Sequence, residues 1–294
     1  MKGLKDSYSL ARASLSVLSK DKRIIAAQIF GMICLVLITA AVGASLYVLG
    51  YFESVEITDS SFTELVTLHS AVAFIVWYFA SLCVYYITEA YISACALQVV
   101  RKESAGEITP RIREYLVPLI QFALISGTVG IFIRALEDKF SWFGSLSTYL
   151  AQGAWNLATV FAVVAIVDKQ ANTGIEATKK SVSILSQSFG ENIIVRVSVG
   201  AVLTLGILLW LVVFVAVIPL LAIVLLGNLA LAGWLAGIGV IGLILLLFMS
   251  TVFDSVLTVM LYEYVRTGKE MAALDKELFR KMITPKKASA VFSH

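Results

Sequence analysis

The sequence predicts an all-α polytopic membrane protein: a helix bundle of about six transmembrane helices, N-in and C-in, with amphipathic helices on the cytosolic side. Three observations predict it. Hydrophobic residues make up 59% of the 294-residue chain and charged residues 15%, against about 45–50% and about 25% in soluble domains. Apolar runs at 24–49, 71–87 and 197–226 reach or approach the roughly 20 residues that a spanning helix needs. All but two of the 23 Lys and Arg residues fall on one side of a single six-span threading, as the positive-inside rule requires of the cytosolic side. Strand-like alternation is absent, which argues against a closed outer-membrane barrel.

Each element follows in order. Residues 1–22 form an interfacial helix, with Leu4, Tyr8, Ala11, Leu15 and Leu18 at helical spacing and Lys5, Ser9, Arg12 and Ser16 between them. The segment is too long for the basic start of a cleaved signal peptide, and the apolar run after it is too long for a signal core. The membrane domain covers 23–265, with spans at about 24–50, 69–99, 114–134, 148–168, 192–226 and 230–265. The connection 51–68 is acidic, with Glu53, Glu56, Asp59 and Glu64 and no base, whereas 100–113 carries Arg101, Lys102, Arg111 and Arg113. The connection 134–147 has only Arg134 and Lys139, balanced by Glu137 and Asp138; 168–191 has Lys169, Lys179 and Lys180. The turn at Gly227-Asn228 is uncharged, and the cytosolic tail 266–294 carries seven bases. A helix at 172–190 is expected on the cytosolic surface. Thr173 and Glu176 form a capping box at its start, Ile175, Val182, Leu185 and Phe189 its apolar face, and Gly190 its stop. A third amphipathic stretch in the tail holds Met271, Leu274, Leu278 and Met282, ended by Pro285. The last two spans are longer than a slab of about 30 Å requires, and Pro219 is the natural kink site in the fifth. Part of 197–226 being re-entrant is the other reading.

Charges inside the slab cost at least about 2.5–3.5 kcal/mol each, so Glu89, Asp254, Arg196 and Glu263 form a candidate intramembrane polar site. Glu89 and Asp254 each lie about 15 Å from the cytosolic surface at 1.5 Å per residue. Arg196 and Glu263 lie nearer that surface. One reading is a cation or proton site; the other is pairing or neutralisation in service of packing. Small residues at Gly233, Gly237, Gly239 and Gly242, and at Ser126 and Gly130, permit close helix approach.

No catalytic motif is present, no cofactor is implied, and no nucleic-acid surface appears. Cys34, Cys83 and Cys95 sit in apolar spans without metal spacing, and the two histidines, His69 and His294, have no second ligand near them. The expected partner is the lipid bilayer, in a prokaryotic cytoplasmic membrane. The amphipathic helices either lie in the headgroup layer or offer a platform to a membrane-protein partner.

Four blocks carry a family resemblance: SYSLARASLSVLSKDKRII at 7–25, SGTVGIFIRALEDK at 126–139, GAWNLATVFAVVAIVDKQANTGIEATKKSVSILSQSFGENII at 153–194, and LYEYVRTG at 261–268. Together they resemble an uncharacterised family of prokaryotic six-helix integral membrane proteins, a domain of unknown function. More distantly, the chain looks similar to the membrane domains attached to some glycerophosphodiester phosphodiesterases, without their catalytic domain. The resemblance implies Asn in relatives where this chain has Glu89, and a base where it has Thr258. It implies the fold and no activity. The chain therefore reads as a non-enzymatic membrane scaffold or complex-organising protein. The alternative is a small transporter or permease with an intramembrane acidic site.

Overall fold

The computed structural model describes residues 17–48, 60–103, 109–139, 144–187 and 204–267. Among them every regular element is helical: α1 (Lys22–Val48), α2 (Ser60–Arg101), α3 (Thr109–Lys139), α4 (Gly144–Thr159), α5 (Ala162–Val167) and α6 (Gly174–Gln187). A π-helical stretch, Leu211–Val217, then leads into α7 (Ile218–Leu226) and α8 (Leu229–Thr267). Among the described residues, six helices are long and apolar enough to cross a membrane: Lys22–Val48, Leu68–Arg101, Ile112–Leu136, Ser147–Val167, Thr204–Val224 and Leu229–Thr267. Helices are the open-ended solution in lipid because each backbone N–H and C=O is satisfied within its own segment. Several hydroxyl side chains bond within their own helix too. Thr39, Thr128 and Thr258 bond the carbonyls of Leu35, Leu124 and Asp254 one turn back, at 2.7–2.8 Å. At 42 residues, α2 is about 63 Å long, so it extends beyond an apolar slab of about 30 Å.

The described chain divides into two compact units. The first holds the described residues of Lys22–Gln98 and Glu103–Leu185; the second holds those of Met1–Asp21, Val99–Lys102 and Ser186–His294.

In the first unit, α1 meets α2 where Gly31 lies against the Thr88 side chain, with Trp77 Nε1 donating to Thr39 Oγ1 at 3.0 Å and Arg23 donating to Gln98 Oε1 at 3.1 Å. The fourth span, expected as one helix over 148–168, is interrupted at Val160-Phe161. No proline causes this. Ser181 of α6, fully buried, accepts the Phe161 N–H at 3.0 Å, so that donor leaves the helical ladder. Beyond the break, every residue of α5 is buried.

At 14 residues, α6 is about 21 Å long, short of the slab. Its capping box is displaced by one residue. Thr173 Oγ1 accepts the Glu176 N–H at 3.2 Å, and the Glu176 carboxylate accepts the N–H of Asn172 rather than of Thr173, at 2.9 Å. Its buried face corrects the expected one. The helix packs through Gly174, Ala177, Ser181, Ile184 and Leu185, leaving Ile175 and Val182 exposed; Phe189 and Gly190 lie outside the described residues. The reason is distance. A Cβ on Gly174 would stand 2.6 Å from the backbone N of Phe122 in α3. That approach, reinforced by Gly174 N–H donating to Gln121 Oε1, requires small residues in the seam.

In the second unit, Pro219 stands at the start of α7, directly after the π-helical stretch. A proline cannot donate to the carbonyl four residues back, and its ring collides with it, so the preceding turn widens. The kink expected at Pro219 thus takes the form of a π segment. Gly227 closes α7 in the left-handed conformation at φ 59°, and Asn228 Oδ1 caps α8 by accepting the Leu231 N–H at 3.0 Å. The return helix crosses the π stretch closely: a Cβ on Gly239 would stand 2.5 Å from the Phe214 carbonyl oxygen, and Gly242 lies against the Trp210 ring. Gly233 and Gly237, expected in this seam, face open space.

Candidate functional site

A cleft of about 760 Å³ opens in the first unit between α2, α3 and α4. Helical periodicity places its walls. On α2, Ile75, Tyr78, Leu82 and Tyr86 recur at three- and four-residue spacing, which is one face. On α3 the wall is Ser126, Gly130 and Arg134, and on α4 Thr148, Gln152 and Asn156, each series stepping by four. Because the three helices alternate in direction, Tyr86, Ser126 and Asn156 gather at one end and Ile75, Arg134 and Thr148 at the other. Eight residues of α3 separate Ser126 from Arg134, about 12 Å along the axis.

The inner end is a hydrogen-bonded cluster. The Tyr86 hydroxyl and Ser126 Oγ are 2.8 Å apart, and Trp155 Nε1 donates to the same Ser126 oxygen at 3.4 Å. The Tyr86 ring meets Phe122 edge-on with centroids 4.8 Å apart. Tyr78 OH donates to the Gly127 carbonyl at 3.4 Å. The Phe79 and Leu82 side chains lie directly against Gly127, while the cleft stays open beyond Gly130. On α4, Gln152 Nε2 donates to Asn156 Oδ1 at 3.0 Å, one turn apart. That bond uses the Asn156 carbonyl and leaves its NH₂ without a partner among the described residues. At the other end stands Arg134, exposed, with no carboxylate partner among the described residues.

Sequence reasoning pointed elsewhere. Glu89 is half-buried on α2, one turn beyond Tyr86, and is not among the residues lining the cleft. Asp254 belongs to the second unit and is half-buried in a stretch of α8 whose other members, Val252 to Glu263, are all buried. Arg196 lies outside the described residues. Glu263, grouped with these from sequence, has its own partners: Arg101 donates through Nη2 at 2.7 Å and Nε at 3.1 Å to one carboxylate oxygen, and Arg266 donates to the other at 3.2 Å. Glu263 is a buried carboxylate held between two guanidinium groups. Arg101 was counted only as a connection base, and 162 positions separate it from Glu263; no local spacing signals that pair. The cleft was missed for a similar reason. Ser126 and Gly130 read as close-packing residues. The four-residue steps Thr148-Gln152-Asn156 and Ser126-Gly130-Arg134 were the available signal.

Residues 67–272 match a family of unknown function, DUF6159, and the chain belongs to that family. No curated protein and no solved structure matches the chain, so the likeness to glycerophosphodiester phosphodiesterase membrane domains gains no support.

Proposed function

We propose that this DUF6159 protein is a non-enzymatic membrane organiser: a six-span protein of a prokaryotic cytoplasmic membrane, with both termini in the cytosol, that orders lipid or a membrane partner around itself. One observation carries this reading over transport. Tyr86 and Trp155 are bonded to Ser126 and Gln152 to Asn156, and the cleft ends at Tyr86, Ser126 and Asn156 without reaching Glu89. A conducting path needs contiguous polar groups that release what they bind; this arrangement is a recess. The basic cytosolic connections and the exposed Lys179-Lys180 face of α6 fit a protein seated against anionic headgroups.

The test is reconstitution of the full chain in liposomes with entrapped pH- and ion-sensitive dyes. The expected result is no flux above empty vesicles, with Glu89→Gln and Asp254→Asn shifting only thermal stability. Flux that these two changes abolish with the fold intact would replace this reading with the transporter. In cells, an impermeant thiol reagent should label Ser60→Cys from outside and leave Ser289→Cys unlabelled.

A further inference from the structure

We infer that the α2–α3–α4 cleft is a binding site for one phospholipid with an anionic headgroup, its phosphate on Arg134 and its ester region facing Asn156. This deepens the organising reading and rests on it. The volume, about 760 Å³, is that of a site for one molecule, within the range of about 300–1,000 Å³ for ligand cavities. The polarity is graded along the cleft. A guanidinium group presents a planar fork of donors that matches phosphate oxygens two at a time. Below it, Gln152 and Asn156 follow in one- and two-turn steps from Thr148, about 6 and 12 Å deeper. The unpartnered NH₂ of Asn156 is a donor suited to an ester carbonyl. The rim explains why the ligand is a lipid rather than a soluble anion. Phe74 and Tyr149 are 61% and 76% exposed, and Ile131 and Ile75 about half. All four stand on helices long and apolar enough to cross a membrane, so a chain leaving the cleft runs over apolar surface.

The full-length protein, purified in nonionic detergent, is loaded with phosphatidylglycerol or phosphatidylcholine, and the lipid-bound fraction is read by native mass spectrometry. Wild type should retain phosphatidylglycerol in preference. Arg134→Gln should cut phosphatidylglycerol retention by about tenfold, the equivalent of one lost charge-assisted contact. It should cut phosphatidylcholine retention less, because choline already offsets the charge of that phosphate, so the preference shrinks; Arg134→Lys should keep most of it. Ile75→Trp, which narrows the rim without touching the charge, should lower retention of both lipids. Equal retention of both lipids by wild type overturns the proposal, as does an unchanged preference in Arg134→Gln. Displacement of phosphatidylglycerol by excess inorganic phosphate overturns the lipid assignment in favour of a soluble anion. The two readings fail separately. Flux in the liposome assay removes the organising role and leaves the lipid result standing, whereas lost lipid selectivity removes this site and leaves the organising role.

Discussion

The α2–α3–α4 seam and the crossing of α8 over the π-helical stretch hold helices together by opposite means. In the first, side chains reach across: Tyr86 to Ser126, Trp155 to Ser126, Tyr78 to the Gly127 carbonyl. In the second, backbones touch at Gly239, and Trp210 lies stacked on Phe214 with centroids 4.1 Å apart while its Nε1 donates to the Gly239 carbonyl at 3.0 Å. Lipid chains are as apolar as leucine, so no hydrophobic drive separates these strategies; packing and interhelical hydrogen bonds must supply association. The side-chain seam keeps space between helices, and a cleft follows. The glycine seam has none to give. The difference teaches where function and stability reside: adaptable polar contacts surround the recess, and rigid contacts lie in the second unit.

The largest expected effect lies in that second unit. Glu263→Ala removes the shared carboxylate and leaves the Arg101 side chain, 20% exposed, with an uncompensated charge, while the Arg266 side chain, 43% exposed, reaches solvent more easily. Breaking a buried pair from one side costs about 3–5 kcal/mol, and the exposure of Arg266 sets the expectation at the lower end. Denaturant unfolding in micelles measures it. Arg101→Met with Glu263→Met should recover much of the loss, because the paired apolar replacement leaves only Arg266, which solvent can take up. If the double change is worse than Glu263→Ala, the ion pair contributes more than mutual neutralisation.

Next is the glycine seam itself. Gly239→Leu puts a side chain against the Phe214 carbonyl, a backbone group that cannot rotate away, and the crossing must open at a cost of about 1–3 kcal/mol. Gly233→Leu, two turns earlier on the same helix, meets nothing within 4 Å and should leave stability unchanged or slightly raised, since leucine is the better helix former. Equal losses at the two positions would refute the close crossing.

These contrasts also mark how far the sequence was legible. Six membrane-length helices were legible because apolar length and basic connections are local properties, read without knowing which helices touch. Gly227 and Asn228 were legible as a turn because one supplies a left-handed residue and the other a cap. The interruption at Phe161 was not, since its cause is a hydroxyl 20 positions away. The outer face of α6 was misread because Ile175 and Val182 are larger and more apolar than Ala177 and Ser181, yet only the small residues fit beside α3. Glycine spacing alone likewise failed to separate Gly239 and Gly242, which touch the π stretch, from Gly233 and Gly237, which do not. Among the candidate acids, the sequence marked Glu263 as a charge needing explanation without naming its partner; which base supplies it depends on the meeting of two helix ends far apart in the chain.

The smallest expected effect tests the other half of the comparison. Tyr86→Phe deletes one hydroxyl from the inner end of the cleft and keeps the ring, so the edge-on contact with Phe122 survives. Ser126 loses its 2.8 Å neighbour but still accepts from Trp155, so no buried polar group is orphaned. Hydrogen bonds between membrane helices average only about 0.6 kcal/mol in double-mutant cycles, because the unfolded chain in a membrane finds partners too. A loss near that size, read in the same micelle denaturation, is the expectation. It should fall well below that of Gly239→Leu. A Tyr86→Phe loss equal to or larger than the Gly239→Leu loss would mean that the polar seam, rather than the glycine crossing, holds the helices, and the cleft beside it would then be a by-product of packing instead of a recess kept open for a ligand.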